Sequence, residues 1–185
     1  MITHKFGLDY SISFKKVDPD DSEILKEFEC EEPAIRNFAR YRTLNTQKDV
    51  TYIFVDNENK AVICFCSLSC TGISTTEYTP KGDMYHSTIP AIEIDFFAVD
   101  KRYRSIPFDE NSSQYETVSK ALFLYMLEHI RKITENVIGA THICLYAVPD
   151  ALNFYKRCDF VEFEKYMNRD EKAFVKDCIP MFYVI

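Results

Sequence analysis

The chain has 185 residues, of which 46% are hydrophobic and 28% are charged, and its formal net charge is −7. This composition predicts one soluble, folded domain over residues 1–185 and excludes a disordered chain. The acidic balance argues against a protein that coats nucleic acid. The sequence shows neither the apolar run of a signal peptide nor an apolar stretch long enough to span a membrane. We therefore expect a cytoplasmic protein that makes no membrane contact.

The seven cysteines show no paired spacing, and the four histidines lie in none of the usual metal-ligand spacings. Cys64, Cys66 and Cys70 have the same parity along a predicted strand, so they share one face. We interpret them as small core residues in a reducing compartment. A metal site is the less favoured interpretation, and we expect no metal cofactor.

Hydrophobic periodicity predicts an alternation of strands and helices along the chain. Apolar runs and alternating patterns predict strands over residues 10–17, 50–55, 61–70, 91–99, 142–148, 160–163 and 181–184. Helical spacing predicts helices over residues 20–28, 33–39, 115–134 and 149–157. The order is β, α, α, β, β, β, α, β, α, β, β, which predicts one mixed sheet with helices packed on its faces.

Local signals mark several boundaries of these elements. Asp20 and Glu23 have the spacing of a capping box, as do Ser113 and Glu116 ahead of the long helix. Residues 71–88 are rich in hydroxyl side chains and contain two glycines and a proline, which predicts a long loop. Residues 164–178 are charged and give no clear pattern.

Three stretches of the sequence match segments of a known superfamily. They are residues 93–99, Glu-Ile-Asp-Phe-Phe-Ala-Val, then Tyr103 with Arg104, and residues 151–160, Ala-Leu-Asn-Phe-Tyr-Lys-Arg-Cys-Asp-Phe. In that order they resemble the central strand before the pyrophosphate loop, the basic entry to that loop, and the Ala-x-x-Phe-Tyr-x-x-x-Gly-Phe segment of the GNAT superfamily of acetyl-CoA-dependent N-acetyltransferases. The last match is the most specific.

The resemblance implies an α/β (α+β) fold. Its single sheet would be mixed, mostly antiparallel and twisted, with about 6–7 strands and helices on both faces. It also implies acetyl transfer from acetyl-CoA, as co-substrate, to a primary amine of a small molecule or peptide. A homodimer is compatible with it.

A weaker likeness links the chain to the GNAT toxins of bacterial toxin–antitoxin pairs, which acetylate the aminoacyl group of charged tRNA. It rests on Phe28-Glu-Cys30, on the predicted helix through Ile35 and Phe38, on residues 51–55 and 67–69, and on Pro90-Ala-Ile92 and Pro180-Met181. A tRNA-acting toxin would need a basic surface, for which the candidates are Lys101, Arg102, Arg104, Lys156 and Arg157. The net negative charge argues against tRNA, so this function is an alternative.

The resemblance assigns the pantetheine arm of CoA to backbone groups of Phe97, Ala98 and Val99. The pyrophosphate loop departs from the family pattern, because Pro107 and Asp109 stand where glycines would be when the pattern starts at Arg104. The predicted cofactor-binding residues of this region are Arg104, Ser105, Ile106, Asn111, Ser112 and Ser113. Asn153, from the segment over residues 151–160, is also predicted to bind the cofactor. The alternative is a degenerate, non-catalytic binding protein on a GNAT scaffold.

Three residues are candidates for catalysis. By the resemblance, Tyr155 is the general acid that protonates the leaving thiolate; alternatively it is an aromatic core residue beside Phe154. Glu93 is the candidate base for the acceptor amine, and Asp95, on the same side of the strand, is its rival or partner. Alternatively the two acids bind an ammonium group or pair with Lys or Arg. Less specific candidates for an acceptor site are Glu77, Tyr78, Asp83, Tyr85 and His86.

Overall fold

The computed structural model describes residues 2–5, 11–108, 113, 116–163 and 177–185. The strands are β1 Ile2–Lys5, β2 Ser11–Lys16, β3 Val50–Asp56, β4 Ala61–Tyr78, β5 Met84–Val99, β6 His142–Ala147, β7 Val161–Glu162 and β8 Ile179–Val184. The α-helices are α1 Ser22–Lys26, α2 Pro33–Tyr41, α3 Val118–Asn136 and α4 Leu152–Lys156. Short 3-10 turns cover Pro19–Asp21, Thr43–Asn45 and Pro149–Ala151.

The strands follow the order β1-β2-β3-β4-β5-β6-β8-β7. The β5–β6 pair is parallel, and the β1–β2, β2–β3, β3–β4, β6–β8 and β7–β8 pairs are antiparallel. This confirms the predicted mixed, mostly antiparallel sheet, to which β1 adds a strand that the sequence did not predict.

The chain forms two compact units, Met1–Leu68 with Phe96–Leu127 and Ser69–Asp95 with Glu128–Ile185. The strands β4 and β5 contribute to both units. The single domain over residues 1–185 remains a prediction.

The first unit carries helices on both faces of its strands. Phe38 of α2 packs on Phe96, with ring centroids 4.4 Å apart, and Phe123 of α3 packs on Phe97 at 4.8 Å. Because neighbouring residues of a strand point to opposite faces, α2 and α3 lie on opposite faces of β5. The core on the α2 side also contains Leu25, Phe28, Cys30, Ala39, Ile53, Val62, Phe65 and Ala98.

The second unit has a smaller core around Ile73, Ala91 and Cys144, against which Phe163 and Phe182 pack. Strand β8 lies between β6 and β7. Phe182 of β8 is paired with Cys144 of β6 on one side and with Val161 of β7 on the other. Cys64 and Cys66 of β4 are fully buried as predicted, whereas Cys70 is exposed, so its assignment to the core was wrong.

The predicted loop over residues 71–88 was wrong, because most of it is strand. Strand β4 continues to Tyr78 and β5 begins at Met84. The hairpin turn between them is closed by the Thr79 N–H donating to the Asp83 carbonyl at 2.9 Å, with Gly82 at φ +88°. Both faces of this hairpin are mostly exposed, so its sequence lacks the apolar alternation that marks a half-buried strand.

Two predicted helix caps lie elsewhere. The capping box joins Asp18 and Asp21 in the 3-10 turn before α1, rather than Asp20 and Glu23. Helix α3 begins at Val118, three residues after its predicted start. The Ser113 N–H donates to the Glu116 carboxylate at 3.0 Å and the Glu116 N–H to the Ser113 carbonyl at 2.9 Å. These two residues therefore form a turn ahead of the helix rather than its cap.

Candidate active site

Glu93 lies half-buried in β5, directly opposite the fully buried Cys144 of β6. Burial, and then the nearby Glu93 carboxylate, raise the pKa of the Cys144 thiol to about 12. A thiol with so high a pKa stays protonated and is a poor nucleophile at neutral pH. The predicted base, Glu93, therefore lies opposite a neutral thiol in the second unit. Cys144 is not a candidate for covalent catalysis.

The parallel pairing of β5 with β6 ends next to the two acidic candidates. The register runs from Ala91 opposite His142 to Ile94 opposite Leu145, although β5 continues to Val99 and β6 to Ala147. The pairing of β6 with β8 on its other side covers all six residues of β6, from His142 to Ala147, so it continues past the end of the β5–β6 register. Asp95, which is half-buried, is the first residue of β5 beyond the shared register.

The predicted pantetheine-binding residues continue along β5. Phe97 packs on α3, Ala98 is buried in the core on the α2 side, and Val99 is half-buried. Their side chains therefore have packing roles. Only their backbone groups are candidates for contacting a pantetheine arm, and that contact remains a prediction.

Tyr155 lies in α4 of the second unit and is 8% exposed. Its ring packs edge-on against Phe154 and Phe160, at centroid distances of 5.2 and 6.0 Å. Its carbonyl accepts hydrogen bonds from the N–H groups of Cys158 and Phe160. The ring thus has the packing of a core residue, and its role as general acid remains a prediction. Asn153, two residues earlier, is exposed.

The motif around Tyr155 departs from the family pattern at Asp159, where the pattern has glycine. Asp159 adopts a left-handed conformation, with φ +64°. Residues other than glycine adopt that region at a cost, and among them Asp and Asn tolerate it best. The backbone therefore keeps the turn that the glycine position requires, although the side chain differs.

A tight turn over residues 101–105 follows β5 in the first unit. Its organising residue is Asp100, which is fully buried and accepts hydrogen bonds from the N–H groups of Glu29 and Arg102. Arg102 also donates from Nε and Nη2 to the two carboxylate oxygens, at 2.8 and 2.9 Å. Burial alone would raise the pKa of Asp100, but these donors lower it below its ordinary value.

A second buried carboxylate holds the same turn. The Tyr103 hydroxyl donates to Asp56 Oδ2 at 2.9 Å, and both residues are buried. Asp56 also accepts from the N–H groups of Glu58 and Asn59 and from the Asn59 side chain. Burial and the hydrogen bond to Asp56 raise the pKa of Tyr103 to about 12. Sequence reasoning missed Asp56 and Asp100; the available signal was an aspartate at each strand end, followed by a turn.

The predicted phosphate-binding residues of this region have partners inside the unit. The Arg104 guanidinium pairs with Glu31, and the Arg104 carbonyl accepts from Ser119 Oγ at 2.8 Å. The Ile106 N–H donates to the Tyr103 carbonyl at 3.3 Å. Ser105 is exposed and the Ser113 N–H donates to Glu116. Asn111 and Ser112 lie outside the described residues.

The less specific acceptor-site candidates all lie on the β4–β5 hairpin and are exposed. The Tyr85 hydroxyl donates to Glu77 at 2.5 Å, and His86 Nδ1 lies 3.4 Å from the Thr76 hydroxyl.

Among the described residues, no cluster of three His, Cys, Asp or Glu side chains could hold a metal ion. No helix in the described part of the chain is long and apolar enough to cross a membrane.

No protein-family model matches the sequence, and neither does any curated protein. Among solved structures, the chain is similar to a bacterial toxin, with 19% identity, a TM-score of 0.72 and coverage of 95% of this chain and 92% of that one. It is also similar to AtaTR bound with AcCoA, with 15% identity, a TM-score of 0.64 and coverage of 96% and 94%.

A third similar structure is an acetyltransferase of the GNAT family from Staphylococcus aureus Mu50, with 12% identity, a TM-score of 0.53 and coverage of 94% and 98%. At these identities the likeness shows the fold alone. The chain therefore has the fold of GNAT acetyltransferases and of GNAT-type toxins, which confirms the resemblance found in the sequence.

Proposed function

We propose that this chain, which has the GNAT fold, is an N-acetyltransferase that moves an acetyl group from acetyl-CoA to a primary amine. The observation that carries the proposal is the parallel β5–β6 pair whose register stops at Ile94 opposite Leu145, with Glu93 one residue before the end. By the family resemblance, a pantetheine arm pairs with strand backbone at such a divergence. The acetyl-CoA complex among the similar structures supports this donor.

In the proposed reaction Glu93 takes one proton from the acceptor ammonium, directly or through water, so that the neutral nitrogen attacks the thioester carbon. The new C–N bond forms, the C–S bond breaks, and the nitrogen loses its second proton to solvent. Tyr155 gives a proton to the departing sulfur, which leaves as the CoA thiol, and recovers one from water. Asp95 is the alternative base, or the group that binds the ammonium.

A cationic amine is the acceptor that the charges favour. Glu93 and Asp95 place two half-buried carboxyl groups on one side of the strand. By contrast, three of the cations that a tRNA surface would use are paired with acids. Arg102 binds Asp100, Arg104 binds Glu31, and Lys156 Nζ lies 2.5 Å from Glu162. Such pairing weakens the attraction to a polyanion.

Transfer to aminoacyl-tRNA is the second candidate function. It is favoured by the likeness to the bacterial toxin, whose TM-score of 0.72 exceeds the 0.53 of the GNAT-family acetyltransferase. The third candidate, a binding protein without activity, is supported by the glycine-free turn after β5. The cytoplasmic location and the homodimer remain predictions.

One assay separates the three candidates. The purified protein is incubated with acetyl-CoA and with a polyamine, a lysine-containing peptide or a charged tRNA, and released CoA thiol and acetylated acceptor are measured. We expect CoA release that depends on the polyamine or the peptide and falls sharply in Glu93→Gln. Acetylation of the tRNA alone would establish the second candidate, and absence of transfer to every acceptor the third.

A further inference from the structure

The first part of strand β5 has an open edge. In the sheet β5 lies between β4 and β6, but the β5–β6 register begins only at Ala91 opposite His142. Within the described part of the chain, no strand pairs with residues 84–89 on the side that β6 occupies farther along. These residues extend over about 20 Å, which is the usual length of one strand.

The backbone groups of three residues point out of this edge. The Pro90 carbonyl accepts a hydrogen bond from the Thr141 N–H at 3.1 Å, so Pro90 directs its carbonyl to the β6 side. Along a strand, the N–H and C=O groups of successive residues point to alternate sides. Met84, His86 and Thr88 have the parity of Pro90, so their N–H and C=O groups face the open side. The edge thus presents three donors and three acceptors to a further strand.

The hairpin that carries this edge is exposed on its faces as well. Tyr78, Met84 and Tyr85 have 69%, 59% and 44% of their surface exposed. A two-stranded hairpin by itself is only marginally stable in water, and a third strand adds hydrogen bonds and cross-strand side-chain contacts. Open strand edges are the surfaces to which extended peptides add as a further strand. The hairpin therefore suits an extended segment as its partner.

The charges of the hairpin region favour a basic partner. Residues 69–95 contain one cation, Lys81, and four acids, which are Glu77, Asp83, Glu93 and Asp95. Glu77 and Asp83 are exposed, and Asp83 directly precedes β5. The chain as a whole carries a net charge of −7. These charges attract a segment rich in Lys or Arg, and they oppose the approach of a second copy of the same hairpin.

We propose that the edge of β5 over residues 84–89 binds a basic, extended segment of another protein as an added strand. The added strand would lie in line with β6, ahead of its first residue, His142. Backbone pairing with Met84, His86 and Thr88 would hold the segment, and its basic side chains would pair with Glu77 and Asp83. Binding of this kind requires neither acetyl-CoA nor catalysis, so the inference stands independently of the proposed function.

The probe is a fluorescent heptapeptide, acetylated at its N-terminus, in which lysine alternates with threonine and valine. Its binding to the full chain is measured by fluorescence anisotropy at low salt without acetyl-CoA. We expect saturable binding that is lost when glutamate replaces the lysines. Methylation of two adjacent central backbone nitrogens blocks both edges of the peptide and should weaken binding by about tenfold or more. The same two methyl groups on the terminal residues serve as the matched control and should change the affinity by less than about twofold.

Amide hydrogen exchange, followed by NMR, tests the location. With saturating peptide, the N–H groups of Met84, His86 and Thr88 should exchange at least about tenfold more slowly. Equal binding of the two methylated isomers, absence of binding by the lysine peptide, or protection that spares these three amides would overturn the inference. Protection of the same amides by self-association of the chain, without peptide, would assign the edge to a second copy and overturn it too.

Charge variants test the choice of partner. Glu77→Gln and Asp83→Asn should each weaken binding of the lysine peptide by about 2–5-fold, the usual effect of one exposed ion pair. Glu58→Gln is the matched control, because Glu58 is an exposed acid in the first unit, and it should bind like the wild type. Equal affinity of all three variants and the wild type would contradict recognition through the acids of the hairpin.

Discussion

The buried hydrogen bond between Tyr103 and Asp56 should make a measurable contribution to the stability of the fold. In Tyr103→Phe the aromatic ring stays but the buried hydroxyl that donates to Asp56 at 2.9 Å is lost. A hydrogen bond to a charged group contributes about 1.5–3 kcal/mol. The pKa of Tyr103, about 12 against ~10 in an unfolded chain, corresponds to a similar free energy of about 2–3 kcal/mol.

The pH dependence of this contribution has a definite sign. Because the folded pKa is raised, the stabilisation is fully present below pH ~10, where the hydroxyl is neutral in both states. It is lost as the pH rises from ~10 to about 12, since the unfolded chain ionises first. We therefore expect Tyr103→Phe to be less stable than the wild type by about 2–3 kcal/mol at pH 7, and the difference to vanish near pH 12.

The assay is urea unfolding, followed by circular dichroism, at pH values from 7 to 12. The matched control is Tyr41→Phe, because Tyr41 lies in the same unit with 65% of its surface exposed. The control should follow the wild type throughout. The reasoning is refuted if Tyr103→Phe is as stable as the wild type at pH 7, or if its deficit stays constant up to pH 12.

Three further predictions concern other parts of the fold and are tested by chemical unfolding. A Cβ at Gly72 would lie 2.4 Å from Thr88 Cγ2, so Gly72→Ala should lower the free energy of unfolding by about 1–3 kcal/mol. Thr88→Ser removes that methyl group and should restore most of the lost stability in the double variant. A loss of stability that Thr88→Ser leaves unchanged contradicts the contact. Asp100→Asn should lower the free energy of unfolding by about 1.5–3 kcal/mol at pH 7. Because the pKa of Asp100 is lowered in the folded protein, this difference from the wild type should shrink as the pH falls below ~4. A difference that is undiminished at pH 2 argues against the ion pair. Lys60, at φ +50°, and Asp159, at φ +64°, adopt left-handed conformations, so glycine at either position should stabilise by about 0.5–1 kcal/mol, and alanine should not.

The sequence was sufficient for elements whose pattern reflects burial. Residues 91–99 are mostly apolar, and β5 indeed continues through them, with β4 and β6 as its neighbours in the sheet. The hairpin over residues 71–88 was missed because its faces are mostly exposed, so the sequence lacks the apolar alternation of a half-buried strand. The start of α3 was placed three residues early, because Ser113 and Glu116 have capping spacing but form a separate turn.

The candidate site was predictable only in part, for a physical reason. Parity along one strand placed Glu93 and Asp95 on one side, and the register then set Cys144 opposite Glu93. The contacts that fix the turn after β5 could not be predicted, because Asp100 and Asp56 bind partners that are distant in sequence: Glu29 is 71 residues from Asp100 and Tyr103 is 47 residues from Asp56. Local patterns carry no information on such contacts.

The proposed acetyl transfer is tested most directly by comparing Tyr155→Phe with Tyr183→Phe. Both changes remove only a hydroxyl, and both rings pack against Phe160, at 6.0 and 5.5 Å. We expect equal thermal stability for the two variants, and a fall in kcat for amine-dependent CoA release of about 10²–10⁴-fold in Tyr155→Phe alone. Equal turnover in the two variants, at saturating acetyl-CoA, would contradict the role of Tyr155 as general acid and the mechanism built on it.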